Sequence, residues 1–472
     1  MALLLRDVTI GLTGRRADVR VEARRLVTIG SGLAADGADV LDGAGGTLLP
    51  GLVDAHAHLL QWASSRQRVS LAAATSAAHA ASLIAAADPD PAVLCQGANF
   101  HPALWPDRPH KTLLDRALPD QQVALFSNDL HTLWLSSAAM RLIGVDHPTG
   151  VFIEDDCMAL TAALPATPVE VTDRWVLAAT ETAAARGVTA ITDYEYADTI
   201  GDWRRRATPA TRIRCVVAKF LLDETVARGL RTGDAAGDLL TVGPLKVFMD
   251  GSLNTRTAYC HDHYPGGTYA GELLEPDLLP LLRKATDAGI GLALHAIGDR
   301  ANTLALDAFA ALGVGGRIEH AQLLDVADLT RFAALGVVAS VQPAHAPDDR
   351  DAADLHWAGR TDRSFAYRAL HDAGATLEFG SDAPVAPLDP WDAIASAVTR
   401  TDDDRPGWHP EQALSLGAAL AASTGGRGTT VEVGDPADLV LVGRDVAGLP
   451  SDELRDVPIL ATVLDGRLTH RA

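Results

Sequence analysis

Cysteine is scarce in this 472-residue chain: Cys95, Cys157, Cys215 and Cys260 are its four, with no paired short spacing. That excludes a disulfide framework and a cysteine-built zinc site, and it fits a reducing cytoplasm. Basic residues are also short, 40 Lys and Arg against 61 Asp and Glu, for a formal charge of −21. A chain this acidic lacks the positive footprint that nucleic acid or an anionic membrane surface requires. No apolar run approaches the roughly 20 residues of a membrane-spanning helix. Residues 1–5 are apolar, but Arg6 and Asp7 follow at once, so no signal peptide is expected. Internal repeats are missing, and low complexity is confined to alanine-rich stretches such as 71–87. What remains is an ordinary globular composition, 47% hydrophobic and 21% charged, which excludes a disordered chain.

The pattern along the chain changes twice. Residues 1–50 read as short strands with turn punctuation, and the last 45 or so read alike, so the two ends are expected to pair into one small composite β domain spanning 1–50 and 425–472. Between them short apolar runs recur at 52–56, 188–192, 213–219, 245–249, 290–295, 317–320, 337–342 and 376–380. Several follow a helical segment that ends in glycine, at Gly187, Gly289, Gly336 and Gly374, the residue suited to a left-handed helix terminus. Eight alternations of strand and helix predict a (β/α)₈ TIM barrel over 51–424. The alternative is an open doubly wound sheet, although no G-x-G-x-x-G follows the first strand. The stretch between positions 58 and 188 is too long for a simple crossover. An insertion at about 60–187, over the active-site face, is expected there.

The chemistry-bearing residues sit at the ends of these runs. His56 and His58 are separated by one residue, so an extended strand points both imidazoles to one side. His295 ends the fifth run, His320 the sixth, Asp382 follows the eighth, and Lys246 lies in the fourth. Each has a bland reading: His295 as a core histidine, Asp382 as a helix cap, Lys246 as a snorkelling side chain. A barrel, however, brings all its strand ends to one rim. Neutral imidazoles and a carboxylate gathered there suit zinc or a similar divalent ion. A lysine inside an apolar strand loses its charge easily, and its neutral amine can take up carbon dioxide as a carbamate able to bridge two metals. Such a centre activates water, with Asp382 placed to take its proton and pass it to a leaving amine.

These segments resemble the metal-dependent amidohydrolase superfamily, and more narrowly amidohydrolase family 3, the YtcJ-like proteins related to N-substituted formamide deformylases. The resemblance rests on Pro50-Gly51-Leu52-Val53-Asp54-Ala55-His56-Ala57-His58, on the stretch from Lys246 through Asp250-Gly251-Ser252 to Ala258, on His295-Ala296-Ile297-Gly298-Asp299, on Arg317-Ile318-Glu319-His320, on Gln342-Pro343-Ala344-His345 and on Gly380-Ser381-Asp382-Ala383-Pro384. Gly434-Asp435-Pro436-Ala437-Asp438 resembles the closing β segment. The resemblance implies a TIM barrel with a small terminal β-sandwich, and a hydrolase of carbon–nitrogen bonds other than peptide bonds. It implies one metal held by His56, His58 and Asp382, a second by His295 and His320, and Lys246 as a bridging carbamate.

Around His131 this chain departs from the family: Ser136-Ser137 replaces the usual Asn-Ser, and the segment from Gly144 to Glu154 looks shortened. Those changes bear on substrate identity. His131, Arg256, Gln342 and His345 are expected substrate contacts; Trp62, Phe100 and Trp105 read more readily as core than as a pocket wall. The expected activity is hydrolysis of an amide, N-formyl or N-acyl bond in a small molecule, by a chain that can also form a homo-oligomer. The alternatives are a single-metal deaminase or cyclic-amide hydrolase on the same barrel, and a non-catalytic scaffold.

Overall fold

The computed structural model describes every residue except 1, 92, 101–104 and 128–131. Its central feature is a sheet of eight strands: β1 (Leu52–Ala57), β2 (Val188–Asp193), β3 (Arg212–Ala218), β4 (Leu240–Phe248), β5 (Leu292–Ala296), β6 (Gly316–His320), β7 (Val337–Val341) and β8 (Leu377–Phe379). All neighbours pair in parallel and in sequence order. A doubly wound sheet would reverse its order part-way; this one does not. Ala57 bridges to Ala383 just past β8, so the sheet curls back on itself as a TIM barrel. Strands such as β5 are buried along their whole length, which is why they read as continuous apolar runs.

β4 starts five residues before its apolar pattern. Leu240 to Val242 already pair with Ile213 to Cys215, and a register irregularity follows between Cys215 and Val217. Gly243-Pro244 hid this extension, because that dipeptide reads as a turn. Elsewhere the punctuation holds: Gly336, at φ 64°, closes the helix Leu329–Leu335 in the left-handed region.

The two chain ends share a second eight-stranded sheet. Thr47–Pro50 pairs antiparallel with Leu439–Val442, joining the N-terminal strands to the C-terminal ones. Leu5, Val8, Val19, Leu48, Leu439 and Ala461 contribute to its own apolar core. Arg212, at the start of β3, ties this sheet to the barrel. It donates to both carboxylate oxygens of Asp438, at 2.8 and 3.2 Å, and to Asp465 at 3.0 Å.

Residues 62–176 form a separate compact unit. It contains a five-stranded sheet in the order Val151–Ile153, Thr132–Leu135, Val123–Ser127, Cys95–Phe100, Val69–Ser70. Phe100 and Trp105 stack in its core at 5.4 Å. Ser136 caps the helix Ser137–Leu142 and Ser137 bonds Asp115, so the departure from the family pattern there has a structural task inside this unit. Among the described residues no helix is long and apolar enough to cross a membrane.

Arg186 anchors the C-terminal segment to the barrel. Its guanidinium donates to Asp389 at 2.8 Å and to the carbonyls of Val457 and Arg455 at 3.1 and 2.8 Å. Arg186→Met strips all three bonds and is expected to cost about 1–3 kcal/mol. A urea midpoint equal to that of the parent would contradict this account.

Candidate metal centre

The barrel rim gathers side chains from strands far apart in sequence. His56 is the penultimate residue of β1 and His58 follows the strand; the Nε2 atoms of both face one carboxylate oxygen of Asp382, at 3.5 and 3.3 Å. The three side chains offer ligand atoms all within 4.8 Å of one another. His320, His345 and Asp382 form a second such group, so Asp382 belongs to both. His295 packs edge-on against His320, ring centroids 4.5 Å apart.

The backbone is bent to make this meeting. His320 and Asp382 have φ of 78° and 55°, a region that costs a non-glycine residue free energy and is kept where surrounding structure demands it. Asp54 supplies part of that demand. Buried inside β1, it accepts the N–H of His56 at 3.0 Å and that of Ser381 at 3.1 Å, joining the two ligand-bearing segments. Gly380 lets those segments touch, because a Cβ there would lie 2.5 Å from the backbone nitrogen of His56.

Hydrogen bonds decide which imidazole nitrogen is free. His56 Nδ1 meets Glu319 Oε2 at 2.7 Å. The carboxylate therefore holds the proton on Nδ1 and leaves Nε2 bare. His320 Nδ1 donates to Gln342 Oε1 at 2.8 Å, with the same consequence. His295 donates from Nε2 to the Gly251 carbonyl at 3.0 Å, leaving Nδ1. Among the described residues His56 Nε2, His58 Nδ1 and His345 Nε2 are buried with no protein hydrogen-bond partner. A buried polar atom left so is costly, and a divalent cation is the group that imidazoles beside a carboxylate accommodate.

Electrostatics keeps these ligands in the right state. Burial, assisted by the Lys246 charge, lowers His56 to a pKa of about 4 and His295 to about 3. Burial and then His295 push His320 down as well. The rings are neutral at pH 7. Burial alone would raise Asp382, but the hydrogen bond from His58 and the nearby imidazoles hold it well below the usual carboxylate range. Glu319 is likewise held ionised against burial, first by Arg317, which donates to it at 2.9 Å, and then by His56. Tyr194 donates its hydroxyl to the same Glu319 oxygen as Arg317, at 2.6 Å, and stacks on His56 with ring centroids 3.8 Å apart. Lys246 is fully buried, its ammonium 4.8 Å from the ring centres of both Tyr194 and Phe248. Burial lowers it to a pKa of about 8.

The sequence-predicted residues fall in several places. His56, His58 and Asp382 meet in one group, and His345, expected to contact substrate, joins His320 and Asp382 in the other. Among the described residues His295 belongs to neither group, and Lys246 is buried beside its ring on the neighbouring strand. Gln342 is buried against His320. Arg256 is exposed, with no ion-pair partner among the described residues, and His131 lies outside them. Sequence reasoning missed Glu319, Tyr194, Asp54 and Asp250. The last accepts N–H groups from Ile297, Gly298 and Tyr259 and sits 3.6 Å from His295. A usable signal existed for Glu319: Arg317 and Glu319, two apart in an apolar strand, must face the same side.

Lys246 gives a pH signature. Between about 8 and its unfolded value of 10.5 the unfolded chain holds the extra proton, so raising the pH favours the folded state. In metal-free protein, the stability of the parent relative to Lys246→Met is expected to rise by about 3 kcal/mol across that window. Urea unfolding of both at pH 7.5 and 10.5 measures it, and a constant difference would contradict the assigned burial of the amine.

The chain has relatives among known proteins. The sequence profile of the amidohydrolase family matches residues 39–470. The provisionally named amidohydrolase YtcJ of Bacillus subtilis (strain 168) is 26% identical over 90% of this chain and 89% of its own length. An N-substituted formamide deformylase of Arthrobacter pascens is 25% identical over 99% of this chain and 94% of its own. The crystal structure of an uncharacterized metal-dependent hydrolase from Pyrococcus horikoshii superimposes with a TM-score of 0.80 at 22% identity, covering 96% of this chain and 99% of that one, a likeness of fold. With the profile matched across the whole barrel and the C-terminal strands, the protein belongs to the amidohydrolase family, among its YtcJ-like members.

Proposed function

We propose that this metal-dependent amidohydrolase cleaves the carbon–nitrogen bond of a small amide, N-formyl or N-acyl compound. The observation that carries the reading is the convergence of imidazoles from several strand ends on one ionised carboxylate, Asp382, with buried ring nitrogens that no protein group satisfies. The deformylase named above acts on the same class of bond. His56, His58 and Asp382 would hold one divalent ion, zinc by its preference for this donor set. His295 and His320, with His345 beside them, would hold another. Lys246, part of whose population is a free amine at neutral pH, would join the two as its carbamate. We also take the terminal sheet as a small composite β-sandwich of residues 1–50 and 425–472, beside a barrel of 51–424.

A divalent metal bound here supplies Lewis acidity and lowers the pKa of water. The chain's own residues do the rest. Asp382, ionised and within reach of both His56 and His58, accepts a proton from the attacking water and returns it to the departing amine nitrogen. Glu319 and Gln342 fix the rings of His56 and His320 so that their free nitrogens keep their direction through turnover.

One observation favours a second reading, with a single metal and an unmodified lysine in a deaminase or cyclic-amide hydrolase. The Lys246 ammonium lies over two aromatic rings, an arrangement that suits a cation. Intact-protein mass spectrometry at high bicarbonate separates the readings: a carbamate adds the mass of one carbon dioxide, and Lys246→Ala removes that species.

A hydrolysis screen over N-formyl, N-acetyl and N-acyl amines, with metal content measured in parallel, tests the main proposal. Turnover that chelation abolishes and zinc restores is expected. Activity indifferent to chelation, in protein holding less than one metal per chain, would refute it.

A further inference from the structure

Three large aromatic side chains stay open to solvent at the carboxyl ends of three consecutive strands. Tyr196 follows β2, Phe220 follows β3, and Phe248 is the last residue of β4. They are 45%, 60% and 36% exposed. They form one cluster: Tyr196 stands edge-on to Phe220 at 5.3 Å and to Phe248 at 5.8 Å, each pair inclined by 71°. Exposed apolar groups scattered singly need no explanation, but a contiguous patch with a polar rim marks a binding groove. Polar groups adjoin it: Lys219, next to Phe220, pairs with Glu275, and Gln61 donates at 3.1 Å to Glu195, next to Tyr196.

The cluster is continuous with the metal centre. Phe248 lies two residues beyond Lys246 on the same strand, so the two side chains point the same way. Its ring is 5.2 Å from that of His295 and 4.8 Å from the Lys246 nitrogen. A substrate whose amide reaches His56, His58 and Asp382 therefore has an aromatic surface beside it on the β2–β4 side of the rim. Aromatic rings in tilted arrangements present edges and faces that complement another ring better than an alkyl chain does.

We infer that Tyr196, Phe220 and Phe248 form a specificity wall that receives an aryl group carried by the substrate amide. This rests on the amide-hydrolase reading above and adds the substrate class to it. No residue of the wall takes part in bond breaking; its effect is on binding and discrimination.

The test compares N-phenylformamide, benzamide and N-methylformamide with the full-length protein, Phe220→Ala and Tyr196→Ala. Thermal melts confirm folding, and both positions are exposed enough to tolerate the change. The ratio of kcat/KM for an aryl substrate to that for N-methylformamide is expected to fall about five- to tenfold in each variant, through KM, and to recover in Phe220→Tyr. Preference for N-phenylformamide places the aryl group on the nitrogen, preference for benzamide on the acyl carbon. A ratio unchanged within twofold would overturn the wall. Saturation-transfer NMR reads it without turnover. If no amide is hydrolysed, ring contacts from N-phenylformamide that weaken in both variants would uphold the wall while the hydrolase reading fails. Absence of ring contacts in the parent protein would overturn it.

Discussion

A buried imidazole can serve as a ligand only when one nitrogen is bonded and the other left bare, and the barrel rim is organised around that requirement. Glu319, Gln342 and the Gly251 carbonyl each occupy one nitrogen of a rim histidine. Glu319 can do so as an anion because Arg317 reaches it from the same strand and because Tyr194 donates to it. Arg317 in turn pairs with Glu378 on β8 and donates to Ser340 on β7. The charge that sets the tautomer of His56 is thus distributed across several strands, and none of its members is left buried alone, the arrangement in which an ion pair inside a protein is tolerable.

The same requirement explains features of the backbone. The left-handed conformations at His320 and Asp382, the glycine at 380 and the buried carboxylate of Asp54 all act on the short segments that follow β1, β6 and β8. Strained geometry persists where the surrounding structure over-determines it. Here the determination comes from strand pairing below and from Asp54 across the join between β1 and the segment after β8.

Much of this was legible in the sequence. Strand ends could be placed because apolar runs buried on both faces are continuous and because glycines mark the helix ends before them. The residues that lie at those ends, His56, His58, His295, His320 and Asp382, could then be assigned to one rim by topology alone. What escaped was of three kinds. Residues that act through others, such as Tyr194 and Asp250, carry no spacing rule of their own; only the three-dimensional network reveals what they touch. His345 and Gln342 were visible as rim residues, yet which faces the Asp382 carboxylate and which backs His320 depends on the turn after β7, a detail below the resolution of periodicity. The early start of β4 was masked by Gly243-Pro244, where pairing with β3 overrides a local turn signal.

Direct metal titration bears most closely on the central claim, that converging strand-end imidazoles and Asp382 hold a divalent ion. Calorimetric titration of metal-free protein with zinc should show stoichiometric binding. The double substitution of His56 and His58 by alanine should lower its affinity at least a hundredfold, and Glu319→Gln by roughly ten- to a hundredfold, the range typical for loss of a group that orients a ligand. Zinc binding of equal affinity in all three proteins would contradict the account.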